Sequence, residues 1–439
     1  MGIRTGTLRR AAAGAALLAV LVAGMPAPGR AAADSLVLAA LHTLETSYVE
    51  PVDASALLDA AIAALRQATG LGEDLLPGIP PGTGAAQATA AFSSAFDRAI
   101  AAGRLDPRHL AFAATAGMLA SLHDSHTYFL DPARFREEQE TLRGAAGYSG
   151  IGVLLASVDD GTGGRLAFVA YVFPGSPAAR AGLRRFDRIV GVDGWPLRRA
   201  SVEELVRALR GPVGTPVALS VRRGDRVFDV QVTRAPIRIP PVEARLLAGG
   251  TAYVKLFGFS RGTTAQLRGA LGTLAHRVDI HALILDLRSN GGGLLVEASG
   301  VAGLFLTPGT VIGHVEDRLH HRSTLRAVGE PLFRGTPLVV LTNKETASSA
   351  ELLAQALRDE GRATLVGEHT AGALGGSTLV PLPEGGMSVT VERITGARDE
   401  RIEGVGITPD RPIALTATDV ERERDPQLDA ARSVAAQLR

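Results

Sequence analysis

Between residues 250 and 368, four short apolar runs alternate with three helical stretches. The runs are TAYVKLFGF, ALILDLRS, PLVVLTN and ATLVGE; between them lie TTAQLRGALGTLAHRV, LLVEASGVAGLFL and AELLAQALRDEG. Runs this apolar suit strands covered on both faces, and the stretches between them carry a helical period. Parallel strands need a crossover between them, and crossover helices cover the sheet, so the alternation implies an α/β layer on a largely parallel sheet. Sites in such sheets gather beyond the carboxyl ends of the strands. Two turns there are rich in chemistry: DLRSNGGGLL (286–295) and TNKETASSAE (342–351).

The rest of the 439 residues divides by texture. Arg4, Arg9 and Arg10 precede an apolar run from Ala11 to Met25, and Ala31-Ala32-Ala33 follows. These are the three regions of a secretory signal peptide, expected to end at residue 33. An uncleaved anchor is the alternative, since the run approaches the length that spans a bilayer. No second stretch is long enough to span one, so the expected location is outside the cytoplasm: periplasmic, extracellular or envelope-associated. Residues 34–143 read as helical, with a turn at EPVD, a Gly/Pro-rich excursion over 71–90 and helical pattern again from Ala91 to Leu122. Residues 144–237 change to short alternating strands with glycine-rich turns and one helix, SVEELVRALRG, whose Ser201 and Glu204 stand in capping-box positions. The α/β part is expected over 238–415 and a helical tail over 416–439.

Composition removes several function classes. Lys+Arg total 46 against 45 Asp+Glu, which leaves no basic field for nucleic acid, and at 4% aromatic the chain lacks stacking platforms for bases. With no cysteine, thiol catalysis, disulfides and thiolate metal sites are excluded. No His/Asp/Glu spacing of the H-E-x-x-H kind occurs, and no GKS or GKT follows the glycine-rich turn, so neither a metallopeptidase nor a nucleotide site is indicated. No cofactor is implied.

The module at 144–237 resembles a PDZ domain: YSGIGV, GSPAARAGL and DRIVGVDG follow that order. The resemblance makes Gly150, Ile151, Gly152 and Val153 the loop that takes a peptide's terminal carboxylate on backbone N–H groups. More broadly, YVEPVD, HDSHTYFLDP, GIGV, GSPAARAGL, LILDLRSNGGGLL, TASSAELLAQAL, LVGEHTAGA and IEGVGITPD stand in the order seen in the C-terminal processing (tail-specific) serine proteases, over roughly residues 45–412. That resemblance implies a ClpP/crotonase-like α/β protease core with a helical N-terminal region and an inserted PDZ domain. It also implies protein or peptide substrates recognised through their C-termini.

The resemblance makes Ser348, three positions before Glu351, the nucleophile, and the residues agree: a serine at a strand-to-helix turn lies beside the helix's unsatisfied N–H groups. The ordinary role of such a serine is a helix N-cap, which Ser349 or Thr346 is placed to take instead. The oxyanion hole is expected from the N–H of Ser349 and one of Gly291, Gly292 and Gly293, with Gly292 preferred. Many members of the family use a lysine as general base, and that position is Ala373 here. A base swap is one explanation; a peptide-binding scaffold that has lost catalysis is the other. For the swap, the Ser-His-Glu arrangement of the branch resembling the tricorn core protease maps onto His126, in Ser125-His126, and Glu403, in IEGVGITPD. Neutral imidazole can accept the hydroxyl proton, and a carboxylate on its other nitrogen fixes the tautomer. His123, His369 and Lys344 are rival bases, and Asp124 is a rival partner for His126.

Overall fold

The computed structural model describes residues 33–143, 147–197 and 200–438. The signal-peptide pattern lies outside these residues, apart from its last alanine. The alternating segment forms a six-stranded sheet in the order Val242–Leu247, Thr251–Leu256, Ala282–Asp286, Leu338–Thr342, Thr364–Gly367, Arg411–Pro412. The first pair is antiparallel and the others are parallel. Side chains alternate between two cores, as the pleat requires. Val254, Leu283, Leu285 and Val340 pack in the core under helices Thr263–Ala275, Leu295–Ala302 and Ser349–Asp359. Tyr253, Ile284, Val339 and Leu341 pack in the opposite one, against Ala431 and Ala435 of the terminal helix Pro426–Gln437. That helix therefore closes the second face of the sheet.

The N-terminal region is a bundle of Ala33–Ser47, Ala54–Thr69, Ala85–Ala101 and Pro107–Ala120. The helical span expected over 91–122 is two helices. Asp106 accepts from the His109 N–H at 3.0 Å and Pro107 sits at the first helical position, so a new helix begins there. The preceding one starts earlier than expected, at Ala85 behind Gly84. Helices Ala54–Thr69 and Pro107–Ala120 cross closely at Gly117, where a Cβ would stand 2.3 Å from Ala64 Cβ.

A five-stranded sheet with no counterpart in the sequence reading joins this bundle to the α/β layer. Its order is Tyr128–Leu130, Gly386–Thr395, Val311–Asp317, Arg322–Arg326, with Gly375–Pro381 also paired to Gly386–Thr395. Met387 and Val389 insert into the bundle core, and Val49 donates to Thr390 O at 2.9 Å. Tyr128 pairs with Ser388, which brings the loop 121–127 against strand Gly386–Thr395.

The module between them has antiparallel strands Val153–Asp159 with Arg165–Val172, and Arg188–Val192, Pro216–Arg223 and Arg226–Thr233 in a second sheet. Helix Val202–Leu209 carries the expected capping box: Glu204 N–H to Ser201 Oγ at 3.1 Å, Ser201 N–H to Glu204 Oε2 at 2.8 Å. Arg185 of this module reaches Asp425 at the head of the terminal helix, at 2.5 Å.

Candidate active site

Ser348 follows strand Leu338–Thr342 and stands at the N-cap of helix Ser349–Asp359, with φ 56° and ψ −127°. Such a backbone costs a non-glycine residue about 1–3 kcal/mol and persists only where the surroundings impose it. Here they do. Ser348 N–H donates to Ala373 O at 2.8 Å and to Glu351 Oε2 at 3.0 Å, and Ala347 N–H donates to Asn290 O at 2.9 Å. The two expected substitutes for the cap are used elsewhere. Ser349 Oγ donates to Gly293 O at 2.8 Å, and Thr346 Oγ1 donates to Leu287 O at 2.9 Å. Both tie the Ser348 turn to the glycine-rich turn beside it.

That second turn approaches through an absent side chain. Gly292 has φ 94°, and a Cβ there would stand 2.6 Å from Ser348 Cβ and 2.9 Å from Ser349 N. The N–H of Gly292 donates to Asn290 Oδ1 at 2.9 Å, so it is not the open donor. Gly293 N–H makes no hydrogen bond among the described residues. Ser349 N–H is one of the helix's first donors, which have no intrahelical acceptor.

His126 and Glu403 meet although 277 positions separate them: Nε2 lies 3.4 Å from Glu403 Oε2. The imidazole is mostly buried and the carboxylate is partly exposed. Nε2 also lies 3.0 Å from Gly375 N–H: a bare Nε2 accepts that bond, whereas the tautomer with Nε2–H faces Glu403 instead. Burial opposes a charge on the ring, but Glu403, then Asp124 and Glu351, outweigh it and hold the imidazole above its ordinary pKa. No hydrogen bond joins His126 to the Ser348 hydroxyl among the described residues.

Three consecutive N–H groups organise the centre. Ala373 donates to Glu351 Oε2 at 3.0 Å, Leu374 to Glu403 Oε2, and Gly375 to His126 Nε2. Strand Gly375–Pro381 starts at this point, so the segment that carries alanine in place of a lysine serves through its backbone.

Comparison with known proteins places the chain. Peptidase family S41 matches residues 250–413, and a PDZ domain matches residues 168–223. The carboxyl-terminal-processing protease of a Picosynechococcus species is 36% identical over 318 residues, 70% of this chain and 74% of that protein. The chain belongs to peptidase family S41. The chloroplastic carboxyl-terminal-processing peptidase 2 of Arabidopsis thaliana is 32% identical, over 70% of this chain and 61% of that protein, so the chain spans under two thirds of it. Among solved structures, a photosystem II D1 C-terminal processing protease shares 29% identity at a TM-score of 0.53, covering 87% of this chain and 93% of that one.

Within this S41 chain the other candidates have surroundings of their own. His369 has both ring nitrogens engaged, Nδ1 with Thr408 Oγ1 at 3.1 Å and Nε2 with Val405 O at 2.7 Å; it staples the turn that carries Glu403. Lys344 titrates below its ordinary value through burial, among Glu345, Glu368, Arg165 and Asp159 on the PDZ side. Asp124 accepts from His126 N–H at 2.9 Å and from the hydroxyls of Thr127 and Thr390, and so holds the loop rather than the ring. His123 is a positive-φ residue (53°) at the bend leading into that loop.

In the PDZ domain, Gly150, Ile151 and Val153 line a groove of about 400 Å³ with Val206, Leu209 and Arg210. Gly152 has φ 83°, and a Cβ would meet Ser176 Cβ at 2.3 Å, which fixes the loop's glycine. No helix among the described residues is long and apolar enough to cross a membrane.

Proposed function

We propose that this chain is an exported serine endopeptidase that cuts proteins or peptides near their C-termini, with Ser348 as nucleophile, His126 as general base and Glu403 as its orienting carboxylate. The observation that carries the reading is the backbone segment 373–375, which contacts Ser348, Glu403 and His126 in succession. The reacting tautomer carries Nε2–H turned to Glu403, so Nε2 gives up the Gly375 N–H and Nδ1 takes the Ser348 proton as Oγ attacks the scissile carbonyl. The same proton is then returned to the leaving amine, which breaks the C–N bond. Water repeats the cycle on the acyl-enzyme. Substrate binding must close the imidazole onto the hydroxyl, since such bonds often tighten only in the Michaelis complex. The developing oxyanion is assigned to Ser349 N–H and the Gly292–Gly293 turn. Gly293 supplies the second donor, because Asn290 occupies that of Gly292. The PDZ groove at Gly150–Val153 receives the substrate's terminal carboxylate.

A fluorophosphonate probe tests this with purified chain and three variants. Labelling should vanish in Ser348→Ala, fall by about 10²–10⁴ in His126→Ala and persist in Lys344→Ala. Absence of Ser348-dependent labelling, with no cleavage of unstructured proteins, would leave a peptide-binding scaffold. Labelling that survives His126→Ala but vanishes in Lys344→Ala would move the base to that lysine.

A further inference from the structure

Glu351 sits in the first turn of the nucleophile helix with none of its surface exposed. No ion pair to it occurs among the described residues, yet all its acceptor capacity is used. Oε2 takes the N–H groups of Ser348 and Ala373, each at 3.0 Å. Oε1 takes Gly372 N–H at 2.8 Å and the Thr370 hydroxyl at 2.5 Å. A buried carboxylate is tolerated only when hydrogen bonds replace its water, and four donors do so here.

What those donors hold matters more than their number. Thr370 Oγ1 also accepts from Ile407 N–H at 2.7 Å, and Gly404 N–H donates to Gly372 O at 2.8 Å. The bonds therefore run from the Ser348 turn, through 370–373, to the turn 402–407 that carries Glu403. The next two residues, Leu374 and Gly375, reach Glu403 and His126. We propose that Glu351 is the positioning residue that sets nucleophile, base and orienting carboxylate in register, by clamping segment 370–373 to the Ser348 turn. Its charge has a second consequence. The imidazole faces Asp124 from its own loop, Glu403 from the 402–407 turn and Glu351 from the nucleophile helix, with Tyr48 beyond Asp124. All three carboxylates favour the imidazolium formed on proton transfer, and Glu351 does so without touching the ring.

This inference rests on the triad reading above, so its test needs a readout that survives failure of that reading. Glu351→Gln keeps shape but turns an NH₂ group toward two donors and removes the charge. The expected result is a loss of about 10²-fold in the rate of Ser348 labelling, as for a misplacement near 1 Å. The change should lie in kcat with KM within threefold. The His126 imidazole signal, followed by NMR, should titrate at lower pH than in the parent chain. Thr370→Val should give a smaller loss and Thr370→Ser should restore it; this pair serves where Glu351→Gln does not fold. Parent-like labelling together with an unchanged His126 titration would overturn the proposal. If the parent itself shows no Ser348-dependent labelling, the triad reading fails, and the His126 titration still decides whether Glu351 acts on the ring.

Discussion

Replacing Gly375 by alanine probes the base without altering any residue of the triad. A Cβ on Gly375 would stand 2.7 Å from His126 Cδ2 and 3.1 Å from Cγ. Carbon atoms rest at about 3.5–4.0 Å, so the ring must retreat by roughly 1 Å. Gly375 is absent from the positive-φ glycines, so alanine brings no backbone strain and the whole effect falls on the ring. A misplacement near 1 Å costs about 10²-fold in rate, or about 2.7 kcal/mol of transition-state stabilisation. Overpacking costs about 1–3 kcal/mol of stability, and the low end applies because the imidazole retains some freedom at the surface. The assay is the second-order rate of fluorophosphonate labelling from pH 5 to 9, with urea unfolding as a fold control. A folded Gly375→Ala chain that labels at the parent rate, with the parent pH profile, would refute His126 as the base.

Four further outcomes follow, two from the His126 contacts and two from elsewhere in the fold. Because the base must be neutral to act and Glu403 holds the imidazole above its ordinary value, the acid limb of kcat/KM should lie above about pH 6.5 and move down in Glu403→Gln. By linkage, the same contact stabilises the fold below the unfolded imidazole's pKa, and that contribution is lost as pH rises through the folded value, measurable by urea unfolding across pH 5–9. Asp286 is held well below the usual carboxylate range: burial opposes its charge, but Arg288 and Lys255 outweigh that, with Tyr253 Oη donating at 2.6 Å. Asp286→Asn should cost about 3–5 kcal/mol in urea unfolding by leaving buried cations under-compensated. Gly117→Ala should cost about 1–3 kcal/mol by forcing apart the helices that meet at Ala64, with labelling unchanged apart from stability.

Local pattern carried far in this chain. The four parallel strands, the Ser201 capping box and the turns at 286–295 and 342–351 were readable because period, cap and glycine signals act over a few residues. The division of helical spans was less legible: Asp106-Pro107 is a start signal, but the run on either side is uniformly alanine-rich. The five-stranded sheet was not read at all, since Gly386–Thr395 takes its partners from residues 128–130, 311–317 and 375–381. Ala373 could be recognised as a missing lysine, but not as a residue whose N–H and C=O both serve the site.

The sequence by itself determined the family, the α/β layer, the position of the Ser348 turn and the short list of groups that could serve it. Only tertiary structure shows which members of that list meet. It put Glu403 at His126 and spent both nitrogens of His369 on a turn. It also gave the Gly292 N–H to Asn290 and made Glu351 the acceptor of four converging donors. The reason is geometric. A strand or cap is written in neighbours, whereas a site is written in distances between segments that chain order leaves unconstrained.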